Sequence, residues 1–142
     1  MNEAKIREKA LELVERSNIA FLGTIGSDGG PEIKAVQVAD REGMSAVWIS
    51  TNTSSERVGQ LERDPRACLY FVQYDREPWA GLLLRGRVEI RRDPEARERL
   101  WEEGCEKYYP EGVYDPDYTV LRLIAERGKF WQFETKVGFD LP

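Results

Sequence analysis

The sequence predicts a mainly β fold, a small antiparallel barrel with helices packed around it. Three observations carry the prediction. Six or seven short stretches show the two-residue alternation or the brief apolar runs of strands. The first three are joined by turns too short for a crossover helix, so they run antiparallel. At 142 residues the chain is the size of one domain, read here as residues 1–142. At that size such a sheet curls and closes to remove its edges.

The elements follow in order. In residues 3–16, Ile6, Ala10, Leu13 and Val14 fall on one helical face, so segment 1–17 reads as an amphipathic helix packed on the barrel. The run 18–25 is a strand, and Ser27-Asp28-Gly29-Gly30 a turn. Residues 32–39 give a second strand, 40–43 a second turn and 44–51 a third strand. A short helix over about 54–63 turns Val58 and Leu61 inward and stops at Asp64-Pro65. Strands follow at 67–74 and 79–91, the latter with Gly81 and Gly86 marking bulges or close backbone approach. Asp93-Pro94 opens a helix carrying Leu100, Trp101 and Cys105. The loop YYPEGVYDPD leads to two last strands, 118–125 and 129–134. No repeat, low-complexity tract or linker interrupts the chain.

Composition narrows the function. An apolar share of 41% supports a real core, and 33% charged residues a well-solvated surface. The net charge of −5 argues against nucleic acid or an anionic membrane as partner. No apolar run is long enough to span a bilayer. Two widely separated cysteines, Cys68 and Cys105, and a charged N-terminus point to the reducing cytoplasm. Cys68, within an apolar strand, reads as an inert core thiol. The chain has no histidine. That excludes histidine triads, histidine proton shuttles, histidine-ligated haem and most zinc sites, so no metal site is expected. Any chemistry rests on a cofactor. The run RGRVEIRRD reads as a solvated strand and turn.

One stretch asks for more. In WISTNTSSERV, residues 48–58, a strand runs into six hydroxyl or amide side chains and an arginine. Thr53 and Glu56 have capping-box spacing, which accounts for two of them. Ser50, Thr51, Ser54, Ser55 and Arg57 together suggest an anion site. A helix N-terminus offers free N–H groups, hydroxyls add directed donors, and arginine adds a charged fork. Lys34, on the strand before, completes a phosphate-binding set.

These residues also carry a resemblance to the FMN-binding split-barrel superfamily, and within it to pyridoxamine 5′-phosphate oxidase-like general stress proteins. FLGTIGSDGGPEIKAV is similar to that family's first hairpin, with Lys34-Ala35-Val36 where Arg-Pro-Val or a variant usually stands. Arg57-Val58, Leu61 and Asp64-Pro65 match its strand–loop–helix–strand, LLLRGRVEI its Gly-Arg strand, and YYPEGVYDPDYTVLRL its aromatic-Pro-x-Gly, Asp-Pro-Asp-Tyr segment. The resemblance implies a split barrel binding FMN at a homodimer interface. It implies that Lys34, Ser50 or Thr51, Ser55 and Arg57 hold the phosphate, with Ser54 in the same loop. Backbone groups near Lys34, Ala35, Val36 and Ser50 would meet the flavin ring, and Trp131 would close the site, from the second subunit in one arrangement. There are two departures. Glu56 stands where oxidase-like members often have arginine, and the C-terminal Arg-x-His element of true pyridoxamine phosphate oxidases is missing. The expected function is a flavin-dependent oxidoreductase using a nicotinamide or other small redox substrate. The alternatives are a non-catalytic flavin-storing or sensing protein and a deazaflavin-using relative. No residue stands out as acid, base or nucleophile.

Overall fold

The computed structural model describes residues 1–142. Helix α1 (Glu3–Arg16) begins at Asn2, whose side chain accepts the Lys5 N–H, and buries Ile6, Ala10, Leu13 and Val14. Strands β1 (Ile19–Ile25) and β2 (Pro31–Gln37) form a hairpin, with Leu22 opposite Lys34 and Thr24 opposite Glu32. Strand β3 (Asp40–Glu42) pairs with β4 (Ala46–Asn52), and α2 (Glu56–Arg63) follows. Strands β5 (Arg66–Gln73) and β6 (Ala80–Arg91), helix α3 (Pro94–Leu100), a 3-10 turn at Cys105–Lys107, β7 (Tyr118–Gln132) and β8 (Thr135–Asp140) complete the chain.

All eight strands belong to one antiparallel sheet in the order β2-β1-β5-β6-β7-β4-β3, with β8 also on β7. The long β7 gives its first half to β4 and its second half to β8. The sheet curls until β2 nears β4 but does not close. Residues 38 and 39 carry the chain from β2 to β3, with the Val38 N–H donating to the Asn18 carbonyl beside β1 and the Ala39 N–H to the Trp48 carbonyl of β4, each at 2.9 Å. Beyond these bonds the seam parts. This is a split barrel.

The concave face and α1 share the main core, which includes Leu22, Leu69, Phe71, Leu82, Leu84, Leu121, Leu123 and Phe130. Truncating any one of them to alanine would cost roughly 2–5 kcal/mol. A second core lies on the convex face, where α3 and the loop after it cover Trp48, Tyr118 and Val120 with Ala96, Leu100 and Tyr109. Two glycines are needed where strands crowd. A Cβ on Gly86 would strike the Ile124 carbonyl oxygen, and one on Gly81 the Trp131 indole and the Tyr70 hydroxyl.

Cys68, expected in the core, is half-buried on the convex side of β5, and the elements depart from the sequence reading in five places. Residues 40–42 form an edge strand, not a turn, and the turn falls at Gly43–Ser45. The capping box does not form. Ser55 is the N-cap without a side-chain cap bond, and Glu56 is the first helical residue. The Thr53 hydroxyl is instead 2.5 Å from that of Thr119 and donates to the Pro116 carbonyl. Helix α3 ends before Trp101, and Cys105 opens the 3-10 turn. The last two expected strands are one, since a bulge opposite Arg85 and Gly86 absorbs Glu126 without ending the ladder. Strand β8 has no counterpart in the sequence reading.

Candidate functional site

The parted seam holds a cavity of about 400 Å³ between β1–β2, the end of β4 and the first turn of α2. The period of β2 turns Lys34 to the same side as the buried Val36, and Lys34 sits above Leu22. Helix α2 buries Val58 and Leu61 against the barrel, which leaves its N-terminus facing β2 across the gap. A bond from the buried Thr24 hydroxyl to Gln60 Oε1, 2.6 Å, closes the floor.

The entry loop is pinned from the start of β7. Asp117 accepts from Asn52 Nδ2 at 2.7 Å and from the Ser54 N–H at 3.0 Å, and its carbonyl takes the Thr53 N–H at 2.7 Å. The Asn52 bond, followed by the bond from Ser54, holds the Asp117 carboxyl below the usual carboxylate range. With the loop fixed, Ser54 and Ser55 line the cavity.

Arg57 is the central group. Its Nη2 donates to the buried Thr51 hydroxyl at 3.1 Å, and that hydroxyl lies 3.5 Å from Ser55 Oγ. Its Nε is buried with no acceptor. A buried charged donor without a partner is costly, and such groups in native proteins call for an explanation. Arg57 also lines the cavity, where the accessible part of its guanidinium can bind an oxyanion. The uncapped α2 N-terminus adds N–H groups and the positive end of a dipole. The donor set therefore suits a phosphate monoester. Two carboxylates, Glu32 and Glu56, share the lining and offset the two cations.

Of the residues named from sequence, the structure brings Lys34, Ser54, Ser55 and Arg57 into one cavity, with Thr51 directly behind Arg57. Ser50 is exposed on β4 and does not line it. The Val36 side chain is in the core, and Ala35 lies on the convex side of β2. Trp131 is elsewhere on the convex face, over Gly81, with its indole N–H donating to the Tyr70 hydroxyl. Sequence reasoning missed Glu32, Thr24, Gln60 and Asn52. The two-residue period placing Glu32 beside Lys34 was a usable signal, whereas the Thr24–Gln60 bond joins positions 36 apart and left none.

The family model for pyridoxamine 5′-phosphate oxidase matches residues 6–132. A protein from Clostridium acetobutylicum related to general stress protein 26 of B. subtilis, of the pyridoxinephosphate oxidase family, is 41% identical. The match covers 99% of this chain and 97% of that one, with a TM-score of 0.86. General stress protein 26 of Bacillus anthracis shares the fold at 14% identity, TM-score 0.75, over 95% of this chain and 98% of that one. A heme binding protein from Mycobacterium smegmatis does so at 20% identity, TM-score 0.76, over 95% of this chain and 57% of that one. No curated protein matches the chain. By the extent of these matches, the chain belongs to the pyridoxamine 5′-phosphate oxidase family.

Proposed function

We propose that the protein is an FMN-binding flavoprotein of the cytoplasm that serves as a flavin-dependent oxidoreductase in a stress response. The observation that carries the reading is the cavity at the uncapped α2 N-terminus, which brings together Arg57, Lys34, Ser54 and Ser55. A phosphate there gives the Arg57 guanidinium a charged acceptor, and the α2 N-terminus faces the same anion. When bound, FMN supplies the electron or hydride transfer. The chain's own residues bind and orient it. Arg57 and Lys34 neutralise the phosphate, the serines direct its oxygens, and Asp117 keeps the loop in place.

The flavin ring needs a second chain. Trp131, the residue expected to close the site, lies outside the phosphate cavity of its own chain. The convex face beside the cavity is apolar. Ile19 and Ile33 are 53% and 70% exposed, with Phe21 and Ala35 between them in the ladder. Exposed side chains of this kind on one face mark an association surface. A symmetric homodimer covers them and brings each chain's Trp131 towards its partner's cavity.

The haem reading has less support, because the chain lacks the histidine that most often ligates haem iron.

The absorbance spectrum of the purified protein tests the cofactor, with bands near those of free FMN expected. Stopped-flow mixing with reduced nicotinamide nucleotide then tests turnover. Repeated bleaching and recovery of the flavin band in air supports the oxidoreductase. Tight FMN that no donor bleaches would assign the protein to storage or sensing.

A further inference from the structure

Away from the seam, the convex face of β1, β5, β6 and β7 holds a second cavity of about 500 Å³. Four guanidinium side chains line it, Arg66, Arg85, Arg87 and Arg127, against a single carboxylate, Glu126. The protein's net charge is −5, so this is a local reversal of its sign.

The register makes the cluster costly. Arg66 stands directly opposite Arg87 across β5–β6, and Arg85 directly opposite Arg127 across β6–β7. Like charges in directly opposed positions destabilise a sheet. Two such pairs sit on neighbouring ladder positions of one face. Internal carboxylates offset only part of the charge. Arg66 is bound to Asp64 at 2.7 Å and Arg127 to Asp140 at 2.7 Å. Arg85 and Arg87 are exposed and make no ion pair within the chain.

The bulge contributes to the same cluster. Before it, Ala125 faces the core opposite Gly86. An unbroken strand would point residue 127 inward as well. The extra residue, Glu126, reverses the alternation and turns Arg127 outward, opposite Arg85. Gly86 permits the close backbone approach at that point. The arginines of RGRVEIRRD are thus solvated, as the sequence suggests, but two of them converge with two others from neighbouring strands.

We propose that this groove is a second anion site, distinct from the seam, for the diphosphate group of a small molecule. A guanidinium fork takes two phosphate oxygens, and four forks on three adjacent strands, about 4.8 Å apart, exceed what one phosphate can occupy. The volume is that of a small-molecule site. Inorganic diphosphate and a nucleotide diphosphate share this chemistry.

Isothermal titration of the full-length protein with inorganic diphosphate and, separately, with adenosine diphosphate tests the site. Saturable binding at one per chain in the Arg57→Ala protein, where the seam is disabled, and at least tenfold weaker binding when Arg85→Gln/Arg87→Gln is added to it, supports it. Tighter binding of the nucleotide identifies that source, and tighter binding of the free anion identifies the other. Thermal melting gives a second reading. In the Arg57→Ala background, diphosphate should raise the melting temperature unless Arg85→Gln/Arg87→Gln is added, and the added changes should not lower it without anion. Arg127→Gln, which leaves β6 untouched, should weaken binding in the same sense if the double variant folds poorly. FMN titration of the double variant should match wild type, so failure of the seam reading stays separate. Absence of binding in Arg57→Ala, or equal binding once Arg85→Gln/Arg87→Gln is added to it, would overturn the proposal.

Discussion

Replacing Arg57 with alanine separates a phosphate site from a merely structural arginine. In the protein without ligand, Arg57 makes one bond through Nη2, to Thr51 at 3.1 Å, while its buried Nε has no acceptor. The first contributes about 0.5–1.5 kcal/mol and the second costs about 1–3 kcal/mol. These nearly cancel, so the variant without ligand should melt close to wild type. With FMN bound, the guanidinium gains a charged acceptor worth about 1.5–3 kcal/mol. Its loss should weaken FMN by roughly 10- to 150-fold, at about 1.4 kcal/mol per tenfold. Riboflavin lacks the phosphate and should bind the variant and the wild type equally. Flavin fluorescence titrations with both ligands measure this. Equal weakening of FMN and riboflavin would refute the reasoning, because Arg57 would then shape the site without contacting a phosphate.

Glu56→Gln removes an exposed negative charge beside the cavity and should tighten FMN by about two- to fivefold at low salt, the range of an exposed charge interaction of about 0.3–1 kcal/mol, and less at high salt. The same change should slightly lower the melting temperature without ligand, since a first-turn acid favours the helix dipole; affinity unchanged at low salt would count against a phosphate near Glu56. Gly86→Ala should destabilise the fold by roughly 1–3 kcal/mol, because the Ile124 carbonyl that the new methyl meets belongs to the central ladder. A melting temperature equal to wild type would show that the close approach is not obligatory. Fold stability should be flat from about pH 5 to 8, with no histidine to titrate. It should fall as the pH drops below about 4. Asp64, held at about 2 by the Arg66 guanidinium, and Asp117 and Glu42, lowered by Asn52 and Arg122, have folded values below their unfolded ones. Their contribution is present above the unfolded values and lost as the pH falls through the folded ones. Thermal melts across that range check this, and a step near pH 6.5 would contradict it.

Much of the fold was legible because its strands carry clean signals. Ala20, Leu22 and Thr24 alternate inward on β1, and the Ser27–Gly30 turn contains the asparagine-like and glycine residues a hairpin needs. Strand β8 was illegible for the converse reason. Its two-residue connection is Phe133-Glu134, with Phe133 at φ 55°, where glycine or asparagine is usual. The continuity of β7 was hidden because a bulge and a break look alike in sequence. Strand β3 is only three residues long and is held by the longer β4. At the site, the Ser/Thr run and Arg57 were visible because strand end, loop and helix start are contiguous. The capping box misled because local spacing competed with a tertiary partner. Thr53 is engaged by Thr119 and Pro116, more than 60 residues away, and the helix starts one residue after Ser55. Trp131 was named through the resemblance alone, and the structure puts it outside the seam cavity of its own chain.

Recognition of FMN at the seam cavity turns on its phosphate. Parallel fluorescence titrations of the wild-type protein with FMN and with riboflavin test it most directly. Saturation at one FMN per chain is expected, with riboflavin at least roughly tenfold weaker, as befits a site whose charged donors would be left unpaired. Equal affinities for the two flavins would contradict it.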